Sequence, residues 1–235
     1  MLVLAALWET SARLAGSRLF PTLSSVLQTM LDQATTGPLL HNLGVTMARV
    51  ACAFTLAMLG GTMLGVAMGR VSWLDRLLDS VLVVLLNLPA LVGIVLIFVW
   101  FGLSETTTVL AVALNKLPST AVTMREGARS LDQQLLEMGN SFRVGRLHVW
   151  REVALPQLYP YLFASARSGL ALIWKVVLVA ELLGRTDGIG FQIEVYFQLF
   201  DVRGILAYTL AFVLLVQLIE WAALQPLERR AARWR

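Results

Sequence analysis

Residues 137–156 read EMGNSFRVGRLHVWREVALP, a segment that is rich in arginine and only partly apolar. It lies between two apolar segments, Thr107–Met124 and Pro156–Leu183. Both reach or approach the roughly 20 residues that an α-helix needs to cross a bilayer. Because charged side chains are costly inside hydrocarbon, residues 137–156 must lie in water or at the membrane surface. The sequence therefore predicts a membrane protein that presents a soluble contact surface in this segment.

The composition indicates the same class of protein. Hydrophobic residues make up 57% of the 235 residues and charged residues 14%, whereas soluble domains have about 45–50% and roughly 25%. The mean hydropathy is +0.72. The apolar runs are continuous rather than alternating, which predicts helices and argues against a β-barrel. We therefore expect an all-α integral membrane protein.

Apolar segments of spanning length predict five transmembrane helices. They are Leu39–Gly69, Leu77–Phe101, Thr107–Met124, Pro156–Leu183 and Ile205–Leu224. Residues 1–16 are apolar only as far as Trp8, so they form either a sixth, short span or an interfacial helix; they lack the basic region and cleavage site of a signal peptide. We expect an N-terminal part (1–38), a transmembrane domain (39–228) with a loop at 125–156, and a basic cytoplasmic tail (229–235).

The distribution of arginine predicts the orientation. A cytoplasmic C-terminus places the arginines of residues 70–76, 125–151 and 229–235 on the inner side, as the positive-inside rule requires. The net charge of +4 therefore meets anionic membrane lipid, and we expect no nucleic-acid partner. The protein is expected in the bacterial inner (cytoplasmic) membrane.

Motifs that indicate metal binding, nucleotide binding or nucleophilic catalysis are absent from the sequence. Cys52 is the single cysteine, and His41 and His148 are too far apart for a paired ligand motif, so no metal site is predicted. There is no G-x-x-x-x-G-K-[ST] run and no nucleophilic triad, so we expect no enzyme and no bound cofactor.

The arginine-rich segment itself predicts two short helices joined by a bend near Gly139 and Gly145, ending at Leu155 and Pro156 where the next span begins. Because such helices would be held between two long spans, a force on them can be transmitted to the membrane helices. The alternative is a basic loop that only fixes the topology.

The same segment resembles the cytoplasmic motif of transmembrane permease subunits of binding-protein-dependent ABC importers. The motif has the form EAA, then Gly, then a hydrophobic residue and Leu-Pro. Its matches are Glu137, Met138, Gly139, Val153, Leu155 and Pro156. FPTLSSV, WLDRLLDSVLVVLLNLP followed by WFG, and VAELLGRTDGIG resemble further segments of the branch that serves nitrate, sulfonate and taurine, so the resemblance covers about residues 20–230.

One residue departs from that motif. The family's glycine is replaced by Arg143, and the nearest glycine is Gly145. A positive φ costs a non-glycine residue about 1 kcal/mol or more, so we expect the bend to move toward Gly145.

The resemblance implies a type I importer permease fold with five to six transmembrane helices and a coupling helix at residues 139–151. It implies a second permease subunit in a homodimer, two ATP-binding subunits that hold ATP and Mg, and a periplasmic or lipoprotein solute-binding protein. The cargo implied is a small anion. Glu137 and the arginines, Arg143 and Arg146 among them, are implied to contact the ATPase; the alternative for them is helix capping and lipid contact.

Polar residues inside the spans are the candidates for a translocation path. They are Arg49, Asn87, Lys116, Arg167, Lys175 and Glu181. The cations can lend positive potential to an anion path, or they can pair with Glu181, Glu105 or backbone carbonyls and hold the bundle together. Asn87 and Pro89 can likewise mark a gate or a packing kink. The Gly61 to Gly65 spacing predicts close helix packing.

Two other functions stay open at this point. A secondary transporter would show inverted repeats, and none is evident in the sequence. A membrane anchor for a soluble enzyme would not need the charges within its spans.

Overall fold

The computed structural model describes residues 2–17, 19–141 and 145–224, and these contain helices but no strand. The all-α prediction is confirmed. The helices are α1 (Leu2–Ala15), α2 (Leu23–Thr35), α3 (Leu39–Arg70), α4 (Ser72–Asn87), α5 (Ala90–Phe101), α6 (Glu105–Arg129), α7 (Gln133–Ser141), α8 (Arg146–Val149), a π-helical turn (Trp150–Ala154), α9 (Leu155–Gly184), α10 (Ile189–Gln198), α11 (Val202–Ile219) and a second π-helical turn (Glu220–Leu224).

Three described helical stretches are long and apolar enough to cross a membrane: Leu39–Arg70, Leu147–Gly184 and Val202–Ala222. The pair α4 and α5 passes the same test together but is bent by 104°. The predicted span Leu77–Phe101 is therefore broken into two helices, at the segment of Asn87 and Pro89 where the sequence indicated a gate or a kink. Leu88 and Pro89 between them are extended (ψ 123° and 131°) because proline fixes its own φ and disfavours helix in the residue before it.

The predicted span Thr107–Met124 forms the middle of α6, which is too polar to pass that test. The helix packs against α3, α5 and α9, and its polar residues Thr108, Lys116 and Thr120 are buried. Polar side chains are tolerated in this helix because protein surrounds them. α6 is thus the central helix of the bundle.

The predicted boundary at Leu155 and Pro156 is also wrong, because α8 continues through the π-helical turn into α9. In that turn the N–H of Leu155 bonds to the carbonyl of Trp150, five residues earlier. Pro156 has no N–H to donate and falls in the first turn of α9, where none is required. The arginine-rich segment is therefore joined rigidly to a membrane helix.

Glycines let α3 approach α6 closely, as the sequence predicted. A Cβ atom on Gly61 would lie 2.6 Å from the Cβ of Thr120, and one on Gly65 would lie 2.2 Å from the carbonyl oxygen of Ala121. Close backbone approach brings many atoms into van der Waals contact, which is how helices associate where no water drives them together.

Ion pairs and packing connect the broken span to its neighbours at opposite ends of the bundle. Arg125 in α6 lies 3.2 Å from Asp75 and 2.5 Å from Asp79 in the first half of α4. At the other end of the bundle, α5 packs against α9: a Cβ atom on Gly184, at the end of α9, would lie 2.5 Å from the ring of Phe98 near the end of α5. We name these two ends of the bundle the Arg125 end and the Glu181 end.

The N-terminal helix α1 packs against α2. The indole of Trp8 donates to the carbonyl of Pro21 at 3.1 Å, and Glu9 accepts from the backbone N–H of Ser24 at 3.1 Å. Its length, about 21 Å at 1.5 Å per residue, is below the roughly 30 Å of a hydrocarbon core.

The contact between α3 and α6 can be tested with Gly65→Ala. The new methyl would meet the carbonyl oxygen of Ala121, so we expect a loss of about 1–3 kcal/mol in the free energy of unfolding, measured by thermal unfolding of the purified protein in detergent. Gly44→Ala is the control, because that position in the same helix has nothing within 4 Å. Equal effects of the two substitutions would contradict the assignment.

Candidate functional site

The arginine-rich segment begins with a capped short helix. Asp132 Oδ1 accepts the backbone N–H of Gln134 at 2.8 Å, which satisfies a free donor in the first turn of α7. The backbone N–H of Asp132 donates to Gln157 Oε1 at 2.9 Å. Since Gln157 lies in α9, this bond ties the start of α7 to the membrane helix.

A small apolar cluster anchors the other side of the segment. Its buried members are Met124, Ala128, Leu131, Val149, Ala154 and Leu158, with Val153 partly buried against them. The cluster joins the last turns of α6 to α8, to the π-helical turn and to α9. A displacement of α8 must therefore move α6 and α9 as well.

Several large apolar side chains of this segment are exposed among its polar and charged residues. Met138 in α7 is 52% exposed and Leu147 in α8 is 72% exposed, and Leu135 and Trp150 are exposed as well. Exposed apolar side chains on short, anchored helices are a candidate contact surface for another protein. We name Leu135, Met138, Leu147 and Trp150 the coupling surface, after the role that the sequence predicts for this segment.

The residues predicted from the importer motif divide between this surface and its base. Glu137 is exposed in α7 next to Met138, whereas Val153 packs inward. Leu155 and Pro156 are exposed at the start of α9. Gly139 lies in α7 and Arg146 opens α8. Arg143 lies outside the described residues.

Gly145 directly precedes α8, and its carbonyl accepts the N–H groups of His148 and Val149 at 2.8 and 3.1 Å. Its φ lies outside the positive range, and the residue acts as the first acceptor of α8. The bend that the sequence predicts toward Gly145 falls between α7 and α8, where residues 142–144 lie outside the described residues.

A second concentration of functional groups lies at the Glu181 end. Arg49 in α3 is 3% exposed, and its Nη1 donates to Glu181 Oε1 at 2.8 Å. Its Nε and Nη2 donate to the two carboxylate oxygens of Glu105 at 2.9 and 2.6 Å. Nη2 also donates to Asp187 Oδ1 at 2.5 Å. One guanidinium thus joins α3, α6, α9 and the loop before α10.

The carboxylate of Glu181 is fully buried and has further donors. Thr46 Oγ1 donates to its Oε2 at 3.0 Å, and the backbone N–H of Gly190 donates to the same oxygen at 2.9 Å. Gly188 has φ 100°, and a Cβ there would lie 2.5 Å from the Glu181 carboxyl. Only glycine fits beside the carboxylate in this backbone conformation.

Glu105 forms the exposed rim of this network. It lies before the apolar part of α6 and also binds Arg185. The hydrogen bonds from Arg49 hold the pKa of the Glu105 carboxyl below its ordinary value. Glu105 therefore stays ionised while its partner Arg49 is buried.

The sequence left two roles open for Arg49, a positive charge in an anion path or an ion pair that holds the bundle together. The structure shows the ion pairs, with Glu181 and Glu105. Sequence reasoning missed Asp187 and Thr46. The segment VAELLGRTDGIG, residues 179–190, contained the available signal, since it places Glu181, Asp187 and three glycines together. Thr46 has no such signal, because it meets Glu181 only through the packing of α3 on α9.

The other predicted path residues are not part of this network. Lys116 is 3% exposed in the middle of α6 and donates to Ser119 Oγ at 2.7 Å. Arg167 and Lys175 are exposed on α9. Asn87 is exposed at the end of α4, where its amide donates to the carbonyl of Val83 at 2.8 Å. It caps the helix that ends at the proline break.

The family follows from a comparison of the whole sequence with known families. A family described as "Binding-protein-dependent transport system inner membrane component" matches residues 57–225. The chain belongs to this family. The match covers α4 to α11, which includes the coupling surface and, at the Glu181 end, Glu105, Glu181 and Asp187, whereas Arg49 lies before the matched residues.

Curated relatives in the family include two permease proteins from Escherichia coli (strain K12). The putative aliphatic sulfonates transport permease protein is 28% identical over 97% of this chain and 88% of its own length. The taurine transport system permease protein is 28% identical over 99% of this chain and 86% of its own. The riboflavin transport system permease protein of Chloroflexus aurantiacus is also 28% identical, over 100% and 88%. The first two agree with the branch that the sequence motifs indicated.

A solved structure shows the same fold. It is titled as inward facing conformations of the MetNI methionine ABC transporter, and one chain superimposes with a TM-score of 0.71 at 16% identity, covering 82% of this chain and 95% of that one. The predicted type I importer permease fold is confirmed by this likeness.

The buried ion network can be tested with Arg49→Met. The substitution leaves Glu181 charged and buried, so the free energy of unfolding in detergent should fall by about 3–5 kcal/mol. Arg49→Met combined with Glu181→Met should be less harmful than Arg49→Met alone, because no buried charge remains. Arg13→Ala is the control: it removes the exposed pair with Glu9 and should cost less than about 1 kcal/mol. A double variant as unstable as the sum of the singles would contradict the pairing.

Proposed function

We propose that this permease is the transmembrane subunit of an ATP-driven importer and that α7 and α8 couple it to an ATPase. The observation that carries the proposal is the coupling surface. Four large apolar side chains are exposed on α7, on α8 and on the π-helical turn that follows α8. A partner that covers them gains the free energy of burying apolar surface and can then pull on the bundle.

The continuous helix from Leu147 to Gly184 supplies the mechanical link. It has 38 residues, so at 1.5 Å per residue it runs about 57 Å from the coupling surface to the Glu181 end. A movement of α8 toward its counterpart in a second subunit displaces the far end of α9, where Glu181 binds Arg49. Two arrangements of this helix correspond to the two states that alternate during transport.

The partners follow from this division of work. ATP and Mg are held by two ATPase subunits, and this chain performs no hydrolysis. A second copy of the permease packs beside it, and a solute-binding protein delivers the cargo at the Glu181 end. The exposed face of α9, which includes Arg167, Ser168, Ala171 and Lys175, supports such an assembly because polar residues within the membrane require protein or water around them.

The cargo proposed is a small anion of the sulfonate type. Its support is the name of two relatives and the excess of cations over carboxylates within the membrane part of α6 and α9. The riboflavin relative has the same identity to this chain, so the names alone do not decide the substrate.

Coupling can be tested with Leu147→Asp in the complete complex. A charge at the centre of the coupling surface should reduce co-purification of the cognate ATPase subunit by about tenfold or more, because a truncated or charged hot spot costs about 2 kcal/mol or more. Leu19→Asp is the control, as Leu19 is similarly exposed but lies between α1 and α2. Undiminished co-purification with Leu147→Asp would rule out this surface as the docking site.

Orientation can be tested by labelling single cysteines in intact spheroplasts. Cys52 is replaced by serine, and Gln134→Cys or Thr36→Cys is introduced; both positions are exposed, at the Arg125 end and the Glu181 end. A membrane-impermeant maleimide should label Thr36→Cys in intact cells and Gln134→Cys only after lysis. Labelling in the reverse order would place the coupling surface outside the cytoplasm and refute the proposal.

A further inference from the structure

Arg49 and Lys116 are the buried cations of the described residues, and they differ in that Lys116 has no carboxylate partner there. It is 3% exposed, and within the described part of the chain no Asp or Glu oxygen lies within 4.0 Å of its Nζ. Arg49, which is equally buried, contacts three carboxylates. Lys116 is therefore a buried cation whose charge the described protein leaves unbalanced.

The hydrogen bonding of Lys116 is incomplete as well. An ammonium has three N–H donors, and within the described residues Ser119 Oγ is its one acceptor, at 2.7 Å. The Ser119 hydroxyl donates to the carbonyl of Lys116 at 3.0 Å, so its lone pairs are free to accept. Two N–H groups of Lys116 remain available for another acceptor.

The position of Lys116 is the middle of the membrane. It lies 11 residues after Glu105 and 10 residues before Glu126, and at 1.5 Å per residue it is about 15 Å from either carboxylate along α6. A hydrocarbon core is about 30 Å thick. Any acceptor that reaches Nζ at this depth must itself cross the membrane or belong to a neighbouring chain.

Its surroundings are built to hold the lysine in place. The side chain crosses to α9 at Gly169, where a Cβ would lie 2.5 Å from the Cε atom. One turn of α6 further on, Ser165 donates to Thr120 at 3.2 Å, which continues the polar contact between the two helices. Because Gly169 has no side chain where the lysine stem passes, α9 leaves space for the side chain of Lys116.

The rest of this region is positive. In the sequence, α6 has no Asp or Glu between Glu105 and Glu126, and α9 has none between Glu152 and Glu181. Over the same stretch of the two helices lie Lys116, Arg167 and Lys175. Asn115, which precedes Lys116 in α6, is half-buried, and its amide N–H groups are of the donor type that can bind an anion.

From this geometry we propose that Lys116 is the mid-membrane binding site for a small anionic cargo, which replaces Ser119 as partner of Nζ or joins it there during passage. The inference rests on the proposed function. Ser119 is a positioning residue through its hydrogen bond to Nζ, and Gly169 provides the space for the lysine stem. Because Ser119 is the one acceptor of Nζ among the described residues, the ammonium can bind an arriving anion.

The test uses the complete transporter, with its ATPase and binding protein, reconstituted in liposomes. Lys116→Gln should lower ATP-dependent uptake of radiolabelled ethanesulfonate by about tenfold or more at saturating binding protein. ATPase activity stimulated by the loaded binding protein should stay within about twofold of the unsubstituted protein, because the coupling surface is unchanged. Lys116→Arg should restore part of the uptake. Arg76→Gln, an exposed loss of charge in α4 outside the coupling surface, should have no effect.

Each of the other outcomes contradicts either this inference or the proposed function. Normal ethanesulfonate uptake by Lys116→Gln would overturn the inference and leave the importer intact. An equal fall in uptake and in ATPase activity would assign Lys116 to bundle stability and overturn it too. Uptake of riboflavin in place of ethanesulfonate by the unsubstituted transporter would exclude an anion site but keep ATP-driven import. A complete absence of ATP-dependent uptake would overturn the proposed function, and the inference with it.

Discussion

The buried guanidinium of Arg49 is the constraint around which one end of this protein is organised. An ionised group inside a membrane bundle is tolerated only where opposite charges and hydrogen bonds surround it. Glu181, Glu105 and Asp187 meet this need from three different parts of the chain. The requirement of this cation for partners therefore fixes the positions of α3, α6 and α9 relative to one another.

The opposite end follows a different principle. At the Arg125 end the ion pairs of Arg125 and Arg129 with Asp75 are closer to the surface, where water lowers their strength. The lasting contact there is the apolar cluster that joins α6 to α8 and α9. A buried ion network thus holds one end and an apolar cluster the other, and the continuous helix from Leu147 to Gly184 connects the two.

Much of the fold was accessible from the sequence because lipid imposes simple rules. Long apolar runs predicted helices correctly, and the Gly61 to Gly65 spacing predicted the contact between α3 and α6. Pro89 indicated a kink but not a bend of 104°, since the angle depends on what packs on either side. Leu155 and Pro156 predicted a helix boundary that a π-helical turn removes. A proline pattern cannot reveal such a turn, because the i to i+5 bond of Leu155 is set by the apolar cluster beneath it.

The candidate sites were predictable to different degrees for a related reason. The importer motif located the coupling segment, but its apolar contact residues Leu147 and Trp150 are outside the matched positions. Hydropathy identified both Arg49 and Lys116 as cations inside spans and could not distinguish their surroundings. That difference is visible only in the tertiary structure. Arg49 is surrounded by carboxylates that balance its charge and so acts in the architecture, whereas Lys116 meets one hydroxyl and a glycine that leaves it room. Two residues that cost the chain similarly on insertion thus differ in their surroundings, because the described fold places carboxylates around Arg49 and a single hydroxyl at Lys116.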